Sequence, residues 1–239
     1  MNYEAKLIGR EELGGGMAIF RFEKPEGFRF SAGQWCFISV PAGGLEDDRG
    51  LRRPLSIASS PLEKDLLFGT KLSESAMKRT MAQMSPGTAV TLGQPMGTMI
   101  LPEDTATPLV FLAGGIGITP FRSMCRYAAD ARTAHAITLF YSSRSPEETP
   151  FLEDLHRISG QHGGVSVVIT MTRAPEDPTI WSGLRGRLSA DTIKARCTVW
   201  DKATYYIAGP PAMADTMKEI LGALSVPTER IKVELFAGA

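Results

Sequence analysis

Three cysteines in 239 residues leave little scope for thiol chemistry. Cys36, Cys125 and Cys197 are odd in number and far apart, which excludes a disulfide framework and a CxxC metal site. They also fall short of the four thiolates that an iron–sulfur cluster takes. Histidine is as scarce: His135, His156 and His162 form no spaced group, so no protein-held metal is expected. Excess charge is lacking as well. Lys and Arg together number 26, as do Asp and Glu. A chain of zero formal net charge has no overall field for nucleic acid or an anionic membrane. No apolar run approaches the about 18 residues that span a bilayer, and the start, Met1 to Lys6, has no apolar signal-peptide core. A cytoplasmic protein with neither nucleic-acid nor membrane partners is expected. Nothing in the sequence bears on oligomeric state.

What the chain does have is glycine in telling places. The run Leu109-Val110-Phe111-Leu112-Ala113 has the length and branching of a buried strand. It ends in Gly114-Gly115-Ile116-Gly117-Ile118-Thr119-Pro120. Pro120 suits the first turn of a helix. A strand, a bare turn and a helix N-terminus together point unpaired N–H groups and a dipole at an anion. This is a candidate cradle for a dinucleotide pyrophosphate, although a βα turn that binds nothing has the same form.

The chain divides into two patterns. Up to about residue 103 it reads as six short strands broken by turn residues such as Gly14-Gly15-Gly16 and Lys24-Pro25-Glu26-Gly27, with one helix from about Ser75 to Met84. That predicts a six-stranded antiparallel β-barrel. The Pro-flanked stretch Leu101 to Pro108 marks the change. From residue 104 to 239, strands alternate with helices, which predicts an α/β unit with a five-stranded parallel sheet. Such a sheet binds ligands at the carboxyl ends of its strands. The turn at Gly114 lies at one of these ends, and Gly209-Pro210-Pro211 lies at another. Two such turns favour the dinucleotide.

The barrel half carries Arg53-Pro54-Leu55-Ser56-Ile57-Ala58-Ser59. This segment resembles the flavin-binding strand of the ferredoxin–NADP reductase superfamily. Other motifs follow in the same order: Gly33-Gln34, Thr70-Lys71 with Ser75-Ala76-Met77-Lys78, Gly93-Gln94-Pro95-Met96-Gly97, the Gly114–Pro120 turn, Gly209-Pro210-Pro211-Ala212-Met213, and Glu234-Leu235-Phe236-Ala237-Gly238. The likeness covers essentially the whole chain. It implies an FAD-binding barrel, an NAD(P)H-binding α/β unit and no iron–sulfur domain.

The resemblance gives the residues roles. Arg53 is to present its fork of donors to the FAD diphosphate, with Ser75 and Lys78 at a helix start. Arg52, next to it on the strand, points to the other face. Leu55 packs on the flavin ring, and Ser56 lies near its reactive nitrogen. Gly115 to Gly117 approach the coenzyme pyrophosphate, with Thr119 near the nicotinamide. Ser143 and Arg144 stand where an acidic residue would hold the adenosine ribose, and an Arg there favours a 2′-phosphate. Glu234 is the second candidate catalytic residue, and Phe236 supplies cover. The chain departs from the pattern at Leu55, where an aromatic is common, at Ala208, where Cys often stands, and at Gly238-Ala239, where Gly-Tyr is common.

The function so implied is a flavoprotein reductase that passes hydride from NAD(P)H to FAD. Electrons then go to a separate acceptor, either a small redox protein such as ferredoxin or flavodoxin, an oxygenase component, or a small molecule. A reductase of free flavin and a non-catalytic nucleotide-binding sensor or regulatory subunit are the alternatives.

Overall fold

The computed structural model describes residues 1–42, 45, 47–161 and 163–236. The first half holds six strands: β1 (Tyr3–Glu12), β2 (Met17–Glu23), β3 (Trp35–Ser39), β4 (Arg52–Ser56), β5 (Asp65–Lys71) and β6 (Ala89–Leu92). They form one antiparallel sheet in the order β4-β3-β6-β1-β2-β5. An isolated bridge between Ile57 and Phe68 joins its two ends, so the sheet closes on itself as a barrel.

Alternation along the strands fills the barrel. Ala5, Leu7, Phe20, Phe22, Cys36, Ile38, Leu66 and Phe68 point inward. The helix α1 (Ala76–Gln83) plugs one end with Met77 and Met81, which lie one turn apart on its buried face.

The second half holds β7 (Leu109–Gly114), α2 (Ile118–Asp130), β8 (Ile137–Ser143), α3 (Leu152–Gln161), β9 (Val165–Met171), β10 (Leu184–Arg185), α4 (Ala190–Arg196), β11 (Thr204–Gly209), α5 (Pro211–Ala223) and β12 (Ile231–Leu235). All strand pairs are parallel, in the order β10-β9-β8-β7-β11-β12. The sheet thus has six strands where five were expected. The extra one, β10, is two residues long and lies where Trp181–Leu188 reads as loop. Trp181 donates its indole N–H to the Leu184 carbonyl at 3.0 Å, which holds the segment against β9.

Strand β7 shows why both faces are covered. Leu109, Phe111 and Ala113 pack on one side with Phe121 and Met124 of α2 and Leu155 and Ile158 of α3. Val110 and Leu112 pack on the other with Ile193 of α4 and Met217 and Leu221 of α5. A strand buried on both faces reads as a continuous apolar run rather than an alternating one.

The halves meet along a dense seam. Ala32 and Met99 of the first half join the core around α2 and α3, and Leu101 packs against it. Arg122 of α2 is buried at the seam with 4% of its surface exposed. It donates to the Ala58 carbonyl (3.0 Å), Glu63 Oε1 (2.9 Å) and Asp154 Oδ2 (2.7 Å). Ser123 beside it donates to the Ser59 carbonyl at 2.6 Å. Gly69 of β5 faces Ile116 and Thr119 so closely that a Cβ there would lie 2.8 Å and 2.9 Å from their side chains.

Candidate functional site

Two cavities open along this seam and share one wall, Ile116. The larger, about 460 Å³, lies mainly on the barrel. Its size is within the range of small-molecule sites. Arg53, Pro54, Leu55 and Ser56 of β4 line it together with Thr70, Ser75 and Lys78, and Glu234 and Phe236 close it from the α/β half. These residues lie far apart in the chain, and the fold brings them to one place.

Strand geometry sorts the two neighbouring arginines as expected. Arg52 stacks its guanidinium 3.9 Å over the Phe37 ring on the outer face. Arg53 turns into the cavity, where it donates to the Arg49 carbonyl and to Gly50 O at 3.0 Å. Its Nη2 nonetheless stays buried with no hydrogen-bond partner, and so does Ser75 Oγ. Ser75 stands at the N-cap position of α1 without making the side-chain cap bond usual for serine. Two unsatisfied donors at one helix N-terminus form a cradle for an anion.

That cradle is not bare. Asp47 Oδ2 accepts the Ala76 N–H at 2.6 Å, and its Oδ1 lies 3.7 Å from Arg53 Nη2. The Ala76 and Arg49 N–H groups and the charges of Arg53 and Arg49 hold the Asp47 carboxyl below its ordinary range. Lys78 is shifted down by burial and then by the neighbouring charges of Arg49, Lys71 and Arg53. The concentration of positive charge fits a diphosphate, and so do the unsatisfied donors. A Cβ on Gly97 would lie 2.9 Å from the Trp35 ring, so the bare backbone there lets that ring pack along the cavity. FAD therefore fits the residues present. Arg53, Ser75 and Lys78 are the residues that would hold its diphosphate, and Leu55, Ser56 and Thr70 line the same cavity.

At the inner end of this cavity Ser56 donates to Glu234 Oε1 at 3.3 Å, a contact between β4 of the barrel and β12 of the α/β sheet. Burial raises the Glu234 pKa above the usual carboxylate range, and the Ser56 hydrogen bond opposes the shift. A carboxyl biased towards its protonated form beside a buried hydroxyl is suited to holding or moving a proton.

The smaller cavity, about 220 Å³, lies at the carboxyl ends of β7, β8 and β11. Gly114, Gly115, Ile116, Ser143, Arg144, Pro210 and Met213 line it. The absence of a Cβ is needed at Gly117, where one would come 2.3 Å from the Ala208 carbonyl oxygen. That close approach lets the two turns meet. The chemistry of this crevice suits NAD(P)H: the strand ends and the α2 N-terminus would receive the pyrophosphate, and Arg144 also lines the cavity.

Several residues stand elsewhere than the motifs imply. Lys71 lines the smaller cavity and not the larger one that Ser75 and Lys78 line, because Thr70 and Lys71 alternate on β5. Thr119 is fully buried and donates to the Ile116 carbonyl at 3.0 Å, so its hydroxyl braces the turn and faces neither cavity. Gly117 and Pro120 lie behind the wall, and Gly209 and Pro211 flank Pro210 without lining it. Ser143 is held by its bond to the Glu148 carbonyl at 2.8 Å. Gly238 and Ala239, where the closing motif departs from its usual form, lie outside the described residues, as does His162. The three cysteines are buried and free. Among the described residues no group of His, Cys, Asp and Glu is placed to hold a metal.

Sequence reasoning missed Trp35, Arg49, Ser73, Thr98 and Asp47 around the larger cavity and Gly15, Met17, Glu148 and Thr172 around the smaller one. The first group sits on loops and barrel ends. The only signal for Gly15 was a glycine run read as a hairpin turn.

Comparisons with known proteins agree with this geometry. The Oxidoreductase NAD-binding domain family matches residues 111–219. A protein named ferredoxin–NADP reductase B of Sorangium cellulosum is 27% identical, over 98% of this chain and 97% of its own length. The ferredoxin–NAD(P)(+) reductase component of the naphthalene 1,2-dioxygenase system of Pseudomonas putida is 26% identical, and this chain spans 62% of its length. The crystal structure of a ferredoxin NADP+ reductase from Neisseria gonorrhoeae with bound FAD and NADP superposes with a TM-score of 0.80 at 24% identity, over 98% of each chain.

Proposed function

We propose that this chain, a flavin-dependent NAD(P)H oxidoreductase of the ferredoxin–NADP reductase-like superfamily, delivers its electrons to a separate ferredoxin- or flavodoxin-type protein or oxygenase component. The observation that carries this reading is the Ser56–Glu234 hydrogen bond. It joins the two halves where the larger cavity meets Ile116, the wall it shares with the smaller one. Residues that would hold a flavin on β4 and residues that would hold a nicotinamide coenzyme thus converge on this wall.

Bound flavin supplies the electron chemistry: it takes hydride from the nicotinamide and releases electrons one or two at a time. The chain does the rest. Arg53, Ser75 and Lys78 anchor the diphosphate. Gly114, Gly115 and Pro210, which line the smaller cavity, would admit the coenzyme backbone and fix the approach of its ring. Ser56, buried and pointed at Glu234, holds a proton at the reacting edge, and Glu234 receives or returns it. The electron partner is inferred from relatives: the naphthalene dioxygenase component is named for its ferredoxin.

One observation favours a second reading within the same chemistry. Asp47 occupies the phosphate cradle, and the ring wall at Leu55 is aliphatic. Both weaken retention of the flavin, as an enzyme that reduces free flavin requires. Anaerobic mixing of the FAD-loaded protein with NADH or NADPH tests the main reading: the flavin's visible absorbance is expected to bleach, and then to return on adding an oxidised ferredoxin. No bleaching with either coenzyme overturns it. Turnover only with excess added flavin, in protein purified colourless, selects the second reading.

A further inference from the structure

We propose that Glu148 sets the coenzyme preference of the smaller cavity towards NADH, by holding Arg144 away from a 2′-phosphate and offering its own carboxylate to a ribose hydroxyl. This deepens the assignment of that cavity to the dinucleotide and rests on it.

By itself Arg144 argues the other way. It follows β8, the strand beside the first βα turn, where an arginine accommodates a 2′-phosphate and an acidic residue hydrogen-bonds a 2′-hydroxyl. The sequence offers the arginine and no acid at the strand end. The structure supplies the acid from the turn that follows. Glu148 Oε2 lies 3.5 Å from Arg144 Nη1, and both side chains line the cavity.

The carboxylate is held from two sides. Its backbone is pinned within the 3-10 turn Pro146–Glu148, with its N–H donating to the Ser145 carbonyl at 3.1 Å and its carbonyl accepting from Ser143 at 2.8 Å. Its side chain packs on Gly15 of the barrel. A Cβ on Gly15 would lie 2.4 Å from Oε2, and Gly15 has φ +67, so the bare left-handed glycine is what makes room for the carboxylate. Glu148 is accordingly the more buried partner, at 21% side-chain exposure against 52% for Arg144. An exposed cation is thus paired to a more buried anion.

The charged side chains lining the cavity are Lys71, Arg144 and Glu148. A 2′-phosphate near Arg144 has to break the pair and settle beside a carboxylate packed against Gly15. A ribose diol meets neither obstacle, and a carboxylate is a good acceptor for its hydroxyl.

Adenosine 2′,5′-bisphosphate and 5′-AMP probe this end of the site without any electron transfer. Calorimetric titration of wild type is expected to show tighter binding of 5′-AMP. E148Q keeps the shape and removes the charge. It should raise affinity for the bisphosphate about fivefold, the scale of one partly exposed charge contact, without improving that for 5′-AMP. R144Q placed on E148Q should remove the gain. With FAD-loaded protein, the ratio of kcat/KM for NADPH over NADH should rise in parallel. Wild type preferring the bisphosphate, or E148Q changing both ligands alike or neither, overturns the proposal while leaving the cavity assigned to the coenzyme. Binding of neither ligand to wild type overturns the proposal and that assignment together.

Discussion

Replacing Arg122 by Met tests the seam between the halves. Arg122 is the buried hub of an ion cluster: its guanidinium faces Glu63 and Asp154 and also satisfies the Ala58 carbonyl. Met fills much the same volume, so packing against Phe151 is largely kept and the charge is lost. Removing one member of a buried ion pair costs about 3–5 kcal/mol, because the remaining charge is left unpaired. The lower end applies here. Asp154 keeps Arg157 and, at 3.7 Å, Arg126. Glu63 keeps the Ser60 N–H at 2.6 Å and is 24% exposed. The expected loss is therefore about 3 kcal/mol, a large part of a typical stability of about 5–15 kcal/mol. Urea unfolding followed by intrinsic fluorescence measures it. With a slope of about 1–3 kcal/mol/M, the midpoint should fall by about 1 M or more. R157M, which removes an exposed partner of the same Asp154, should stay within about 0.5 kcal/mol of wild type. The pH dependence gives a second reading. Burial tends to raise the Asp154 pKa, but the charges and hydrogen bonds of Arg122 and Arg157 outweigh it, so the net shift is downward. A carboxyl with a depressed folded pKa stabilises fully above its unfolded value, about 3.9, and loses that stabilisation as pH falls through the folded value. The gap between wild type and R122M should thus be widest near neutral pH and narrow below about pH 4. Equal midpoints at pH 7, or a gap that widens in acid, would refute the account.

The other predictions concern the site. S56A should lower the rate of flavin reduction by NAD(P)H about tenfold to a hundredfold, with the dissociation constants of FAD and coenzyme unchanged in fluorescence titrations. E234Q removes a carboxylate whose folded pKa is raised, a group that opposes folding once ionised. The variant should therefore melt about 1–3 °C higher at pH 7, and the advantage should vanish as pH falls and Glu234 takes up its proton. R53K keeps the charge but loses the fork. FAD should bind about tenfold more weakly by equilibrium dialysis, whereas R52K should change nothing, since Arg52 lies on the outer face against Phe37.

The fold was legible because its two halves differ in period. Alternating strands such as β3 announced a barrel, and the continuous apolar run of β7 announced a sheet covered on both faces. β10 escaped notice because a two-residue strand has no period to read. In the site, the motifs pointed to Arg53, Ser56, Glu234 and Gly115, and all four line the two cavities. The orientation of Lys71 was not, since a spacing in a motif does not reveal which face of β5 a side chain takes. Thr119 carried the right letter in the right place, and yet its hydroxyl bonds within its own turn. Asp47 and Glu148 were invisible for another reason. Each acts through a contact with an element distant in the chain or brought close by a turn, Asp47 on the α1 terminus and Glu148 against the barrel's Gly15.

With Asp47 on that terminus, loading of FAD is an exchange of one anion for another. The apparent affinity is the intrinsic affinity scaled by the fraction of molecules in which Asp47 has swung away. Asp47 is held below the ordinary carboxylate range, so protonation does not clear the seat at any pH near neutral. Salt screens the carboxylate's hold and the diphosphate's hold alike, so affinity should respond less steeply to ionic strength than the three cations lining the cavity, Arg49, Arg53 and Lys78, would suggest. D47N breaks that balance, and FAD should then bind more tightly in low salt and lose affinity more sharply as salt is raised. The seat thus works as a buffered one, whose occupancy by cofactor follows cofactor supply more than the surrounding ions.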